Sequence, residues 1–243
     1  MSDDGYFDAD VAASYDKIHG GSANSSVAEV VALLAELAAG GPALEFAIGT
    51  GRIGLPLSER GISVSGIELS QAMVAELRKK EQGQRLPVQI GDMTSTHLGQ
   101  QFSLVFLVYN TIDNLTSQQA QLACFENAAA HLVPGGRFLV ETLVPPIQKL
   151  PFGETLLAHT CTNDHWSIDE FDVVTQRYIS HHLRTSGEQT SQLSIPFRYA
   201  WPAEFDLMAR IAGLDLEHRW GDWQKAPFTS RSSSHVSVWR KPS

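Results

Sequence analysis

Residues 43–54 read ALEFAIGTGRIG. Gly49, Gly51 and Gly54 have the spacing of a turn between a strand and a helix, where close backbone approach lets an adenosine-bearing ligand settle. Three acids surround that motif. Glu45 lies inside the apolar run, four residues before the first glycine. Glu68 lies 17 residues past Gly51, at the end of the next apolar run. A carboxylate there can accept from both hydroxyls of a ribose. Asp92, in GDM, is placed to accept from an adenine amino group, with Leu69 and Met93 as apolar covers for the ring. Met73 lies in the following helix, where core packing competes with a ligand contact.

These acids separate two ligand chemistries. A pyrophosphate is anionic and wants helix-end N–H groups free of nearby carboxylates. A sulfonium bearing an amino-acid tail is cationic at sulfur and at nitrogen, so an acid-lined turn suits it. Glu45 meets that second chemistry; Glu68 serves either. A nicotinamide-dependent oxidoreductase therefore stays open as the alternative. It is weakened because no Tyr in the chain has a Lys four residues later, the pairing of many small NAD-dependent reductases.

The elements that must hold these residues alternate. A helix reads from Asn24, with Asn24, Ser25 and Ser26 as caps and Val27, Val30, Val31 and Leu34 on one face. Gly40-Gly41-Pro42 stops it. ALEFAI then reads as a strand, RIGLPLSER as a helix with Pro56 in its first turn, and ISVSGIEL as a strand. SQAMVAELRKK follows as a helix capped by Ser70, and VQIGDM and FSLVFLVYN as strands. SQQAQLACFENAAAHLV is a helix ended by Pro134-Gly135-Gly136, with His131 placed to satisfy its dipole, and RFLVETLV is a strand. Strands alternating with helices make a parallel sheet with right-handed crossovers. After Pro145 the rhythm changes to three extended segments, LAHTCTND, DVVTQRYISHHL and QLSIPFRYAW, which predict an antiparallel meander. A helix over 202–212 and two last strands, LDLEHRW and SHVSVWR, close the chain.

Composition narrows the partners. The 243 residues suffice for one α/β domain with an insertion. A net charge of −9 with scattered Lys and Arg argues against a nucleic acid and against an anionic membrane surface. The acidic start MSDDGYFDAD does not read as a signal peptide, and no apolar run approaches the length of a membrane span. The only two cysteines, Cys124 and Cys161, lack metal or redox spacing and read as reduced thiols of a cytoplasmic protein. No carboxylate–histidine cluster suggests a metal.

LEFAIGTGRIGLPL, GIELSQAMVAELRKK, IGDM and VPGGRFLVE resemble, in order and spacing, the motifs of class I S-adenosylmethionine-dependent methyltransferases, over residues 42–144. Tyr15-Asp16 is similar to the N-terminal Tyr-Asp of bacterial small-molecule members. The resemblance implies a seven-stranded, doubly wound sheet with its last strand antiparallel, and an antiparallel β insertion after the fifth strand. It divides the chain into an N-terminal cap and helix (1–41), a cofactor-binding core (42–145), an insertion covering the acceptor site (146–201) and a last helix and strand pair (202–243). It implies methyl transfer from S-adenosylmethionine to a nitrogen or oxygen of a small molecule, by a monomer or homodimer. Tyr15, Glu45, Gly49, Thr50, Gly51, Glu68, Leu69, Met73, Asp92, Met93, Tyr109 and Asn110 would hold the cofactor. Gly54 reads as helix packing and Arg52 as solvated. Asp113, Tyr199 and Trp201 would line the acceptor pocket, and Asn114 faces either the acceptor or solvent. An in-line displacement gains most of its rate from alignment, so a base is needed only for a protonated acceptor. His19, on the presumed lid, is the candidate. His181 and His182 are adjacent on a strand, so one of them at most faces a pocket. A binding protein that holds the cofactor without catalysis is a further alternative.

Overall fold

The computed structural model describes residues 6–19, 27–187 and 189–243, the side chains of residues 18 and 19 excepted. The predicted caps Asn24, Ser25 and Ser26 and the side chain of His19 lie outside the described residues.

A helix α1 (Ala9–His19) precedes α2 (Val27–Ala38). The predicted alternation then appears as β1 (Ala43–Phe46), α3 (Gly54–Glu59), β2 (Val64–Glu68), α4 (Gln71–Lys79), β3 (Val88–Ile90), β4 (Phe102–Leu107), α5 (Gln118–His131) and β5 (Leu132–Leu143). Ser70 caps α4 by accepting from the Met73 N–H at 3.2 Å, and Ser117 caps α5 through Ala120 at 3.1 Å. Pro56 sits in the first turn of α3, where its missing N–H costs no helical bond. Four strands follow, β6 (Leu156–Cys161), β7 (His165–Asp172), β8 (Arg177–Ser186) and β9 (Gln189–Arg198), then α6 (Pro202–Ile211), β10 (Asp215–Trp220) and β11 (Ser234–Arg240).

Among the described residues the main sheet has seven strands in the order β10-β11-β5-β4-β1-β2-β3. β1 to β5 pair in parallel, and β11 runs antiparallel to both β5 and β10. Alternation along each buried strand feeds two cores. Leu104, Phe106, Leu139, Val236 and Val238 join Val30, Leu34 and Leu57 on the α2–α3 side. Val105, Leu107, Phe138, Val140 and Trp239 join Phe125 and Phe205 on the α5–α6 side. Phe125 meets Phe138 and Trp239 edge-on, with centroids 5.0 and 5.1 Å away. No helix among the described residues is long and apolar enough to cross a membrane.

Three local readings differ from the sequence expectation. Pro134-Gly135-Gly136 does not sit outside the strand but within β5, which begins at Leu132. The Gly135 N–H donates to Lys241 O at 2.9 Å, and Lys241 N–H donates back to Gly136 O at 2.8 Å. The register against β4 jumps there, so the missing proline N–H costs no ladder bond. The meander has four strands, not three: β7, HWSIDEFD, lies outside the three predicted segments, and the β-branched DVVTQ, predicted as the start of a strand, is the turn that follows it. Asp172 Oδ1 accepts from the Val174 N–H at 2.9 Å, and Gln176 takes φ 56°. His131 is not a cationic cap. Its Nε2 accepts from the Leu98 N–H at 3.1 Å and its Nδ1 lies 2.8 Å from Asn127 O. That pair of contacts fixes a neutral tautomer, and burial lowers its pKa.

Candidate functional site

The carboxyl ends of β1, β2, β3 and β4 open into one cavity, which encloses about 970 Å³ with its mouth. Such a position, beyond the strand ends of an open parallel sheet, is where ligands sit in doubly wound folds. Glu45, Gly49, Thr50, Glu68, Leu69, Met73, Asp92, Met93, Tyr109 and Tyr15 all line it. The sequence reading thus brings ten of its named residues to one wall.

The glycine turn is shaped for close approach. Gly49 has φ 57°, and a Cβ there would sit 3.1 Å from Met73 Cε. Gly51 (φ 79°) does not line the cavity: a Cβ there would collide with Leu77 and Leu55, so its role is packing. A Cβ on Gly54 would lie 2.6 Å from Glu45 Oε2 and 2.9 Å from Ile48, so this glycine makes room for the acid as well as for the helix.

Glu68 closes the turn from β2. Its Oε2 accepts from the Gly49 N–H at 2.8 Å and its Oε1 from the Ser70 N–H at 2.9 Å. A carboxylate oxygen has two lone pairs, so accepting from a backbone N–H is compatible with accepting from a ligand hydroxyl. Asp92 stands at the outer end, with Oδ1 accepting from the Thr94 N–H and hydroxyl at 2.8 and 2.7 Å. Glu45 is 4% exposed, and its Oε2 is buried without a hydrogen-bond partner among the described residues. Burial pushes its pKa well up; the Arg52 guanidinium and a hydrogen bond from Gly54 oppose that. Arg52, expected in solvent, lines the cavity with its guanidinium 4.4 Å from the centroid of the Tyr109 ring.

Helix α1 is fastened over this wall. Asp16 Oδ1 accepts from the Thr50 hydroxyl at 2.5 Å, and Asp16 Oδ2 lies 2.6 Å from Lys80 Nζ. Lys80 also donates to Thr50 O at 2.7 Å, and the Ser70 hydroxyl donates to Phe7 O at 2.7 Å. Burial alone would raise the Asp16 pKa, but its hydrogen bonds from Lys80 and Thr50 hold it below the usual range. Tyr15, carried by the same helix, is pushed by burial up to about 12, so it is a neutral phenol at the cavity edge. Phe7, Thr111, Asn114 and Leu115 complete the mouth. Leu115 carried no signal in the sequence, since an isolated apolar residue reads as core.

Besides Gly51, four of the named residues lie outside the cavity lining. Asn110 (φ 56°) follows Tyr109 in the turn after β4 but is not in the lining, and its Oδ1 is buried without a partner among the described residues. Tyr199 is buried beside Phe171, with ring centroids 6.0 Å apart, and Trp201 is the half-exposed cap of α6. No residue of β6–β9 lines the cavity. Asp113 turns away from it, 3% exposed, accepting from Thr142 at 3.3 Å and Tyr178 at 3.4 Å.

Burial pushes the Asp113 carboxyl up to about 8, against those two hydrogen bonds. Between its ordinary value of 3.8 and about 8 the native carboxyl keeps a proton that the unfolded chain has lost. Stability therefore falls as pH rises through that window. Asp113→Asn imitates the protonated form, so it is expected to flatten the slope and exceed the wild type in stability above about pH 8, with a linkage ceiling on the order of 5 kcal/mol. Urea unfolding at about pH 5 and about pH 9 measures it, and equal slopes for the two proteins would contradict it.

Residues 43–136 match the family model of a methyltransferase domain. The chain is similar, at 26% identity over 198 residues, to the cypemycin N-terminal methyltransferase of a Streptomyces species, covering 80% of this chain and 81% of that one. It is 32% identical to the dTDP-3-amino-3,6-dideoxy-alpha-D-glucopyranose N,N-dimethyltransferase of Streptomyces fradiae over 56% of this chain and 54% of that one. The structure of the CcbJ methyltransferase from Streptomyces caelestis superposes with a TM-score of 0.83, at 33% identity and 96% coverage of each chain.

Proposed function

This chain belongs to the S-adenosylmethionine-dependent methyltransferases, and from that premise we propose that it methylates an amine nitrogen of a small polar acceptor, an amino sugar or a related amine. The observation that carries the cofactor assignment is the Glu45 carboxylate, buried on the cavity wall with Oε2 unpartnered. A buried carboxylate oxygen without a partner is costly unless a cation meets it or the acid stays protonated. The amino-acid end of S-adenosylmethionine would bring an ammonium to this acid, whereas a dinucleotide pyrophosphate would be repelled. When bound, the cofactor supplies an electrophilic methyl group on a sulfonium whose departure yields a neutral thioether.

The residues divide the work along the cavity. Glu68 accepts the ribose hydroxyls, having both oxygens already oriented by backbone N–H groups. Asp92, Leu69 and Met93 take the adenine. Glu45 and Arg52 would receive the charged amino-acid end, a carboxyl for its ammonium and a guanidinium cation for its carboxylate. Tyr15 and Tyr109 stand at the remaining edge and exclude water. The amine reading rests on the printed activities of the similar proteins, a peptide N-terminal methyltransferase and a dimethyltransferase of an amino sugar. With Tyr15 neutral, alignment of donor and acceptor rather than strong base catalysis provides the rate.

The test is turnover with S-adenosylmethionine and dTDP-3-amino-3,6-dideoxyglucose, read by mass spectrometry. A mass gain of one methyl group on the amine is expected. Glu45→Gln is expected to lower kcat/KM for the cofactor by about 10-fold or more, the loss of one charge-assisted contact. Methylation only of the hydroxyl-bearing analogue would overturn the amine assignment. Oxidation of NADPH without methyl transfer would overturn the cofactor assignment.

A further inference from the structure

Glu141 played no part in the sequence reading. It lies in β5, opposite Val236 of β11, with its carboxylate drawn across the end of β4. Oε2 accepts from the Tyr109 N–H at 2.6 Å, and the main-chain oxygen of Glu141 accepts from the Asn110 N–H at 3.3 Å. One residue thus holds two consecutive N–H groups.

Those two N–H groups belong to an unusual pair. Tyr109 and Asn110 have φ 63° and 56°, a left-handed conformation that side chains disfavour and that persists only where surroundings impose it. Its consequence lies on the cavity wall. The turn sets the Tyr109 ring 4.4 Å from the Arg52 guanidinium carbon. Arg52 is the cation whose field reaches Glu45, Glu141 and Tyr15.

We propose that Glu141 is a positioning residue for methyl transfer: its carboxylate holds Tyr109 and Asn110 in the left-handed turn, and the Tyr109 ring in turn fixes Arg52 against the amino-acid end of the cofactor. This rests on the cofactor reading above. Glu141 is not in the cavity lining, so it acts through Tyr109 and not on the acceptor. Burial raises the Glu141 pKa, with the Tyr109 hydrogen bond and Arg52 opposing. The protonated carboxyl still has a carbonyl oxygen that accepts, so the anchor does not depend on its charge.

That last point supplies the test. Glutamine keeps an oxygen acceptor at the same reach; methionine keeps the volume without one. S-adenosylhomocysteine is titrated by calorimetry into the wild type, Glu141→Gln, Glu141→Met, Tyr109→Leu and the double variant Glu141→Met/Tyr109→Leu. Glu141→Gln is expected to bind within about 3-fold of wild type, and Glu141→Met and Tyr109→Leu each about 10-fold more weakly. The double variant is expected to lose about 10-fold rather than about 100-fold, because both changes break one chain of contacts. Glu141→Leu serves the same comparison if the methionine variant does not fold. A purely structural Glu141 would lower the thermal midpoint and leave the affinity of the folded protein intact. Wild-type affinity in Glu141→Met, equal losses for Gln and Met, or additive losses in the double variant would each overturn the proposal. Absence of binding by the wild type would instead overturn the cofactor reading itself.

Discussion

Glu68→Ala is expected to lose about 100-fold or more in affinity for S-adenosylhomocysteine, since a charged group that accepts two ligand hydroxyls contributes roughly 1.5–3 kcal/mol per contact. The effect is large because the side chain is already oriented. Gly49 and Ser70 hold the two oxygens from opposite ends of the turn, so little entropy remains to be lost on binding. Removing the carboxylate also frees two backbone N–H groups at the cavity wall, which loosens the glycine turn. Glu68→Gln retains one acceptor oxygen and is expected to fall between. Calorimetry on the three proteins measures the series, and wild-type affinity in Glu68→Ala would remove the ribose from this end of β2.

The second large effect is on stability. Arg198 is 4% exposed at the end of β9, with Nη2 2.7 Å from Glu204 Oε1 on α6. The same guanidinium donates to Gln121 of α5 and to Gln176 in the β7–β8 turn. One cation thus ties the four-stranded sheet to two core helices. Arg198→Ala leaves the fully buried Gln121 oxygen without this donor and takes the cation from Glu204, which keeps its bonds from Gln118 and Gln176, so the loss is expected at about 3 kcal/mol, the low end for breaking a buried pair from one side. By contrast, Lys225 and Glu36 are 2.6 Å apart with side chains 40% and 62% exposed. Lys225→Ala is expected to change stability by less than about 1 kcal/mol, because water screens the pair. Urea unfolding of both variants makes the comparison. Equal losses would show that burial is not what gives the Arg198 network its weight.

Much of the cavity was legible because its residues sit at strand ends, where alternation and glycine punctuation mark position. Glu45, Glu68 and Asp92 were found this way, each at a fixed step from an apolar run. Arg52 was misjudged because a charged residue in a turn reads as solvated. Its stacking on Tyr109 depends on a left-handed turn that no pattern announces. Glu141 was hidden for a related reason. A single acid in a buried strand looks like an irregularity until its backbone partner on the neighbouring strand is known. The insertion was read least well. DVVTQ has the composition of a strand, yet the Asp172 side chain folds it into a turn, and the strand before it, HWSIDEFD, carries three acids and no clear apolar alternation. Asp113, Tyr199 and Trp201 were chosen for type and loop position, and neither specifies the direction of a side chain. Asp113 turned to Thr142 and Tyr178, and Tyr199 to Phe171.

The central claim is that the cavity at the ends of β1 to β4 holds S-adenosylmethionine through Glu45 and Glu68. Calorimetric titration of the wild-type protein with S-adenosylhomocysteine, and separately with NADPH, tests it most directly. Saturable micromolar binding of S-adenosylhomocysteine at one site per chain, without heat from NADPH, is the result predicted. Binding of NADPH with none of S-adenosylhomocysteine would contradict it, and would return the glycine turn to a dinucleotide.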